Sequence, residues 1–386
     1  MTKDSYMPEY NRHFSGVLRA RLGESLNFMQ VVIGPRQVGK TTAVTKIAED
    51  WDGPVHFETA DAPTPPGVEW LNLQFDLAEQ RGAGTLLIVD EIQKISGWSE
   101  VVKVRFDKIR KKRLLKIVLL GSASLSLQKG LTESLAGRYE LIHARHWSFA
   151  ECHEAFGWPL ATYLAFGGYP AAVDLIGDED RWRRFMRESI VEPVLGRDIQ
   201  GAVRIDKPAL FRRSLEVAMN YPAQVISLQK FLGQLQEGGN VSTLKYYLEL
   251  LEGAFLLKVL PKYSRGFATT RASSPKLLPL APALVHAFQS PQKLNSDPTW
   301  RGRVFEAAIG AHLATLPGDL YYWSQGVHEV DFVRECDGVV TAYEVKSGIT
   351  GGVSGLIQFK KLYPHALLEI VDWSRGEELL LSAGDA

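Results

Sequence analysis

One short stretch constrains the fold of this chain more than any other. Residues 34–41 read GPRQVGKT and match the complete pattern G-x-x-x-x-G-K-[ST]. The apolar segment 28–33 before it predicts a strand, and the amphipathic segment 41–51 after it predicts a helix. A strand, loop and helix in this order wrap backbone N–H groups around phosphates at the positive end of the helix. The stretch therefore predicts an ATP site.

The residue types in this loop suit a nucleotide bound with a metal. Lys40 would neutralise charge on the β- and γ-phosphates, and the Thr41 hydroxyl would bind Mg²⁺. ATP and Mg²⁺ are therefore the predicted cofactors. The residues expected to contact the nucleotide are Gly34, Pro35, Arg36, Gln37, Val38, Gly39, Lys40, Thr41 and Thr42.

A second element carries two acidic residues at the end of an apolar segment. Residues 86–89 predict a buried strand, and Asp90 and Glu91 follow it directly. Asp90 would bind the Mg²⁺ shell, while Glu91 would orient and polarise the attacking water. A solvated acidic turn is the alternative, but it does not explain the position of this strand relative to the loop. Glu91 predicts hydrolysis of ATP and not binding alone.

Two further residues are candidates for the same site. Residues 116–120 predict another buried strand, after which Ser122 could sense the γ-phosphate and Ser124 could cap the next helix. Arg138 lies between that helix and the predicted strand 139–143. It is either an arginine finger that reaches the ATP site of a neighbouring subunit or an ordinary surface arginine.

Composition limits the class of protein. The chain has 386 residues, enough for two or three domains, and 44 basic residues balance 44 acidic ones. A zero net charge does not point to a polyanionic partner. Cys152 and Cys336 lack metal-ligand spacing, which favours a reducing compartment. We see neither the apolar core of a signal peptide nor a bilayer-length apolar run, and expect a cytoplasmic protein without membrane association.

The middle of the chain reads as helical. Residues 227–235 resemble the first helix of a helix-turn-helix, residues 238–240 would form the turn, and Ser242 or Thr243 would cap the second helix. Both DNA recognition and protein packing are possible for this segment. Basic stretches at 103–116 and 181–184 favour DNA binding, whereas Glu249 and Glu252, expected on the exposed side of the second helix, would repel phosphates. Residues 263–282 are rich in Ser, Thr, Arg and Pro and predict a linker or exposed loop.

Four polar residues near the C-terminus stand in the order of the PD-(D/E)xK nuclease fold. Glu306 lies on a predicted helix, Asp331 on a strand, and Glu344 and Lys346 on the same side of the next strand. Asp331 and Glu344 could hold Mg²⁺, with Lys346 orienting hydroxide and Gln358 in support. A polar hairpin without activity is the alternative, because a fold alone does not confer function.

These motifs together resemble a known family. GPRQVGKTT, LLIVDEIQK, LLGSAS, SLAGRYE, AFGGYP, GRDI, RGRVFE, EVDFV and EVKSG occur in the order found in prokaryotic AAA-domain ATPases with a C-terminal domain of unknown function, number 4143. The resemblance covers nearly the whole chain. It implies an AAA+ core, a small helical lid, a winged-helix-like segment and a restriction-endonuclease-like module. Members of the family carry an arginine directly after an Ala-Gly pair, and Arg138 follows Ala136-Gly137 in the same way. The chain departs from the family at 280–284, where it reads LAPAL and the family usually has a stretch similar to Asp-Thr-Gly-Leu.

The expected fold class is α/β, with a P-loop AAA+ parallel sheet, a helical lid, a winged-helix-like segment and a PD-(D/E)xK-like C-terminal domain. The expected domains are 1–150, 151–205, 206–262 and 263–386. The leading function is ATP hydrolysis that drives conformational work on branched, duplex or single-stranded DNA. A trans-acting Arg138 favours a homo-oligomeric ring, for which a hexamer is the expected form, although related switch-type ATPases work as monomers. The alternatives are a nucleotide-gated switch with a protein partner and an ATP-controlled metal-dependent nuclease.

Overall fold

The computed structural model describes residues 10–25, 28–110, 114–122, 130–131, 134–235, 239–264, 273–348 and 352–382. These residues form two units. The first comprises the described residues between 10 and 146 and those from 196 to 204, and the second comprises those from 147 to 195 and between 205 and 382.

The first unit is built around a parallel sheet. Among the described residues this sheet has five strands in the order β2-β3-β4-β1-β5. Strand β1 lies between β4 and the edge strand β5, so the loop that follows it begins at the sheet's carboxyl edge with a strand on either side. The strands are β1 (Met29–Gly34), β2 (Val55–Thr59), β3 (Thr85–Asp90), β4 (Leu115–Ser122) and β5 (Tyr139–His143).

Helices cover this sheet and bury its apolar residues. The side chains of Phe14, Leu18 and Val44 pack with strand residues such as Val32 and Ile88 in one core. Parallel strands buried on both faces explain the continuous apolar runs in the sequence. The helices are His13–Gly23, Lys40–Glu49, Val68–Gln80 and Trp98–Arg110, with a short 3₁₀ turn at Ile92–Lys94.

The α/β fold class with a central parallel sheet is confirmed. The four strands predicted at 28–33, 86–89, 116–120 and 139–143 are present as β1, β3, β4 and β5, and β5 has the predicted bounds. The predicted helix after Ser122 falls largely outside the described residues, as does Ser124.

The second unit contains two sheets as well as helices. Within the described residues, one sheet has the order β6-β8-β7 and the other has the order β12-β11-β10-β9. Its strands are β6 (Gln224–Val225), β7 (Leu257–Leu260), β8 (Lys276–Pro279), β9 (Asp319–Gln325), β10 (His328–Cys336), β11 (Val339–Val345) and β12 (Leu367–Val371). The α-helices are Phe149–Phe156, Leu160–Phe166, Glu179–Phe185, Pro208–Met219, Leu228–Gln234, Val241–Gly253, Pro282–Phe288, Lys293–Ser296, Pro298–Leu313, Ser354–Leu362 and Trp373–Leu381. Turns of 3₁₀ or π type occur at Pro170–Leu175 and Met186–Val191, and a π turn at Val194–Ile199 begins in this unit and ends in the first.

The predicted linker at 263–282 is wrong over its second half. Residues 265–272 lie outside the described residues, but β8 is a buried strand that pairs with both β6 and β7. Leu277 and Leu278 are fully buried, and a helix begins at Pro282. The polar and proline-rich composition around this short apolar pair concealed the strand.

Two details of the helical middle also differ from prediction. The second helix of the predicted helix-turn-helix is capped by Asn240, whose side chain accepts a hydrogen bond from the Thr243 amide at 2.7 Å, and not by Ser242 or Thr243. Glu252 is half-buried and accepts from the Val259 amide, so it does not belong to the exposed side of this helix. Asparagine one residue before a helix satisfies its free amides, as serine would.

In the part of the chain that the structure describes, no helix combines the length and apolar character needed to cross a membrane.

Candidate functional site

The phosphate-binding loop joins β1 to the helix Lys40–Glu49. Gly34 ends the strand, where a Cβ atom would collide with the carbonyl oxygen of Ala144. Gly39 caps the helix with φ of +85°, a backbone conformation that glycine adopts without strain. Glycine is therefore required at both fixed positions of the motif.

The other loop residues divide into buried and accessible ones. Pro35 and Val38 are buried, Arg36 is half-buried, and Gln37, Thr41 and Thr42 are exposed. Gln37 also has a positive φ of 61°. The backbone conformation at Gln37 and Gly39 turns the chain into the helix and leaves the start of the helix open to a ligand.

Lys40 is held inside the loop. Its ammonium donates to the carbonyl oxygens of Gly34 at 2.9 Å and Pro35 at 2.6 Å. Burial lowers the pKa of Lys40 to about 8, against the opposing charges of Glu91 and Asp90. An amine that is desolvated in this way gains from an anion that restores its charged form.

Thr41 and Asp90 come together as the sequence predicts. The Thr41 hydroxyl donates to Asp90 Oδ2 at 2.7 Å, and Asp90 Oδ1 accepts from the Glu91 amide at 2.8 Å. The Asp90 carboxylate is buried at the end of β3. A hydroxyl and a carboxylate oxygen side by side are donors that Mg²⁺ prefers, so these residues fit the expected metal.

Glu91 and Ser122 are connected by a residue that sequence reasoning missed. The Gln93 side-chain amide donates to Glu91 Oε2 at 2.6 Å and to Ser122 Oγ at 3.0 Å. Burial and then the charge of Asp90 raise the pKa of Glu91, while the bond from Gln93 opposes the rise. Ser122 pairs with Gly34 across β4 and β1, which places it beside the phosphate-binding loop.

Arg36 has an unexpected partner within the same unit. Its guanidinium donates to both carboxylate oxygens of Asp198, each at 2.6 Å. Asp198 is mostly buried, and its hydrogen bond raises the pKa of Arg36. Asp198 belongs to the GRDI segment at 196–199, which packs with the first unit although the neighbouring residues belong to the second. Sequence analysis did not identify Asp198 as a partner of Arg36, because the two residues are 162 positions apart in the chain.

The loop backbone is also braced by a buried arginine that precedes β1. Arg12 donates to the carbonyl oxygens of Val38 and of Arg145, the latter at 2.8 Å. Burial, with the positive charges of Arg12 and Lys40, lowers the pKa of His146 to about 3. The His146 imidazole is therefore neutral at physiological pH.

Arg138 does not lie near the ATP site of its own chain. It directly precedes β5, whose first residue pairs with Met29 at the start of β1, whereas the phosphate-binding loop follows the end of β1. Its guanidinium donates to both oxygens of Asp107, each at 2.9 Å. The structure therefore separates Arg138 from the other predicted residues of this site.

The C-terminal residues do meet in the second unit. Phe332 pairs with Tyr343 across β10 and β11, which brings Asp331 beside Glu344. Burial and then the charge of Asp331 raise the pKa of both Glu306 and Glu344.

Of the other two residues predicted for this site, one joins the carboxylates and one does not. Lys346 pairs with Glu344, whereas Gln358 contacts Gln325 and not the carboxylates of Glu306, Asp331 and Glu344. The sequence missed Lys276 of β8, whose ammonium lies 2.5 Å from Glu306.

Comparisons with known proteins agree with this picture. Residues 27–153 match the family model AAA_14, described as an AAA domain. Residues 158–295 and 301–379 match two domains of unknown function, DUF8612 and DUF4143. The chain is 30% identical over 354 residues to two uncharacterized proteins, Rv2008c of Mycobacterium tuberculosis and Mb2031c of Mycobacterium bovis. Each match covers 87% of this chain and 74% of the relative.

The chain belongs to the same family as these mycobacterial proteins. The expected AAA domain with a C-terminal DUF4143 domain is confirmed, while the DUF8612 match covers a region expected to hold a lid and a winged helix. The Walker-type ATPase PABY2304 of Pyrococcus abyssi has a similar fold, with a TM-score of 0.50 and 13% identity over 75% of this chain and 99% of that chain. The P-loop ATPase family implies that the chain binds a nucleotide with a divalent metal and hydrolyses ATP.

Proposed function

We propose that this chain hydrolyses ATP with Mg²⁺ and uses the hydrolysis to drive a conformational change in the cytoplasm. The observation that carries the proposal is the Thr41–Asp90 hydrogen bond beside the phosphate-binding loop, with Glu91 next to it. Lys40 binds the β- and γ-phosphates, and the Thr41 hydroxyl and Asp90 hold Mg²⁺.

Glu91 is the proposed general base. It orients the attacking water and accepts its proton, while the metal supplies charge stabilisation for the transferred phosphoryl group. Gln93 holds the carboxylate of Glu91 in position and connects it to Ser122, which is the proposed sensor of the γ-phosphate. Arg36 and the remaining loop residues line the nucleotide.

Arg138 is proposed to act on a neighbouring subunit. Its position at the amino end of β5 keeps it from the ATP site of its own chain, and its guanidinium donates to the exposed Asp107 carboxylate and to the backbone carbonyl oxygen of Ala136. A finger that acts in trans requires self-association through a head-to-tail contact, and the closed ring that we propose for it is a hexamer.

Mixing two inactive variants tests this arrangement. Lys40→Ala keeps the finger but loses the phosphate-binding lysine, and Arg138→Ala does the reverse. If fingers act in trans, an equimolar mixture recovers about one quarter of the wild-type ATPase, because half of the sites are intact and half of their neighbours carry a finger. Asp107→Asn is the matched control and should retain activity. A mixture as inactive as its components would refute the trans role.

DNA is the first candidate for the target of the conformational work. The order of helices and strands from Pro208 to Pro279 supports a winged-helix-like segment, because two consecutive helices are followed by the paired strands β7 and β8, with β6 on the other side of β8. This winged-helix-like segment would end at Pro279, beyond the boundary at 262 that the sequence predicts. We keep the proposed division of the chain into a core, a lid, a winged helix and a C-terminal module. Winged helices bind DNA or proteins through the second helix or the paired strands.

A protein-dependent switch is the second candidate. The basic stretch at 103–116 is partly neutralised within the chain, because Arg105 pairs with Asp76 and Glu79 at 2.5 Å. Lys116 donates to the carbonyl oxygen of Glu24. These contacts leave fewer cations for phosphates than the sequence suggests.

The effect of DNA on ATP turnover separates these candidates. We expect duplex, branched or single-stranded DNA to accelerate the ATPase several-fold, and we expect the acceleration to weaken steeply with salt. An ATPase rate that no DNA form changes would favour the protein-dependent switch. We do not propose that the C-terminal cluster cleaves DNA with a metal, because its carboxylates surround a buried lysine.

A further inference from the structure

One of the two expected metal ligands of the C-terminal module, Asp331, already lies beside a cation that belongs to the chain. The Lys276 ammonium lies 2.5 Å from Glu306, 3.5 Å from Asp331 and 3.7 Å from Glu329. It also donates to the backbone carbonyl oxygen of Asp331 at 3.0 Å. Asp331, which the sequence assigns to Mg²⁺, thus shares an ammonium group with Glu306 and Glu329, while the other assigned ligand, Glu344, pairs with Lys346.

Lys276 is fixed in this position by its surroundings. The residue is fully buried on β8, a strand that is paired on both sides. Its ammonium also lies 4.7 Å from the centre of the Phe332 ring, a favourable cation–π distance. Burial alone would lower the pKa of Lys276, but Glu306, Asp331 and Glu329 together raise it above its ordinary value. A buried ammonium persists only when it is paired in this way.

Two further carboxylate oxygens beside Lys276 are occupied as well. Asp331 Oδ2 accepts from the Val345 amide at 2.8 Å, and Glu344 Oε1 pairs with Lys346. Mg²⁺ needs about six oxygen ligands at about 2.0–2.1 Å and would be repelled by an ammonium among them. The residues present therefore do not fit a divalent ion.

We propose that Lys276 takes the place of a divalent cation in the cluster of Glu306, Glu329 and Asp331, which makes this cluster a metal-independent structural site. Lys276 belongs to the last strand of the winged-helix-like segment, and the three carboxylates belong to the C-terminal module. The ammonium therefore joins these two parts of the second unit by charge. This inference does not depend on ATP hydrolysis.

The same carboxylates should be able to bind a divalent cation once the Lys276 ammonium is removed. Removal of the ammonium leaves three carboxylates without their cation, and Glu344 Oε2 is a further buried oxygen with no hydrogen-bond partner among the described residues. Such a group of oxygen ligands suits Mg²⁺ or Mn²⁺. Lys276→Ala should therefore convert the cluster into a divalent-cation site.

Mn²⁺ binding to the full-length, nucleotide-free protein tests the proposal. Wild type and Asp331→Asn should bind the same amount of Mn²⁺ in equilibrium dialysis, and Mg²⁺ or EDTA should shift their melting temperatures equally. A site in the wild type that Asp331→Asn removes would overturn the proposal. This comparison decides the question even if no Lys276 variant folds.

The lysine variant supplies the positive result. Lys276→Ala should bind one additional Mn²⁺ per chain, with an affinity at least about tenfold above any wild-type binding at this cluster. The double variant Lys276→Ala/Asp331→Asn should lose the additional ion. Lys258→Ala is the matched control, since it removes a lysine from the adjacent strand β7. A folded Lys276→Ala protein without the additional ion would contradict the proposal.

Discussion

The unusual state of Lys40 makes ATP affinity depend on pH in a defined way. The pKa of Lys40 is about 8 in the nucleotide-free protein. The phosphates of bound ATP favour the charged form, so binding raises this pKa. ATP affinity is therefore fully present below pH 8 and falls as the pH rises through 8, where the free protein loses the proton.

The size of the effect follows from the same pKa. Lys40 is charged in about nine of ten free molecules at pH 7 and in about one of ten at pH 9, so the apparent Kd for ATP should rise about tenfold between these values. At pH 8 the binding of one ATP should take up about half a proton. The affinity falls at high pH because Lys40 must take up a proton before its ammonium can bind the phosphates.

A titration with a fluorescent ATP analogue at constant ionic strength measures this dependence. A non-hydrolysable analogue prevents turnover during the experiment and keeps Glu91, whose charge contributes to the pKa of Lys40, in place. Lys40→Arg is the control, because a guanidinium stays charged through this range and should make the affinity independent of pH. An apparent Kd that does not change from pH 7 to pH 9 in the lysine protein would refute the reasoning, as would the same tenfold change in Lys40→Arg.

Two other predictions concern residues that the structure adds to this site. Asp198→Asn breaks the double hydrogen bond to Arg36 and should lower the free energy of unfolding by about 1–3 kcal/mol, measured by urea denaturation. We expect bound ATP to restore part of the lost free energy of unfolding, because its phosphates can pair with Arg36. An unchanged free energy of unfolding in Asp198→Asn would contradict a stabilising role of the Arg36–Asp198 pair. Gln93→Ala should reduce kcat roughly tenfold and move its acid limb to higher pH, because Glu91 loses a hydrogen bond that favours its charged form. A pH–rate profile with an unmoved acid limb would exclude Gln93 as a positioning residue.

The core of the ATP site was predictable because its signals are local. Gly34 and Gly39 are demanded by the backbone of one loop, and the strands around them have continuous apolar runs. Asp90 reaches Thr41 because parallel strands present their carboxyl ends at one edge of the sheet. The sequence carries each of these features within a few residues.

The missed residues share a different property. Asp198 meets Arg36 only after a long excursion of the chain through the second unit, and no periodicity encodes that return. Lys276 was hidden because β8 is short and its neighbours have the composition of a loop. A strand of four residues is stabilised here by its pairing with β6 and β7, and such tertiary pairing cannot be derived from local propensity.

The central claim is that this site hydrolyses ATP with Glu91 as the base, and one measurement tests it most directly. Steady-state phosphate release should be compared among wild type, Glu91→Gln and Glu49→Gln, an exposed glutamate at the end of the helix that follows the loop. The account predicts that Glu91→Gln binds ATP normally and loses about 100-fold or more in turnover, while Glu49→Gln behaves as wild type. Wild-type turnover in Glu91→Gln would contradict the account.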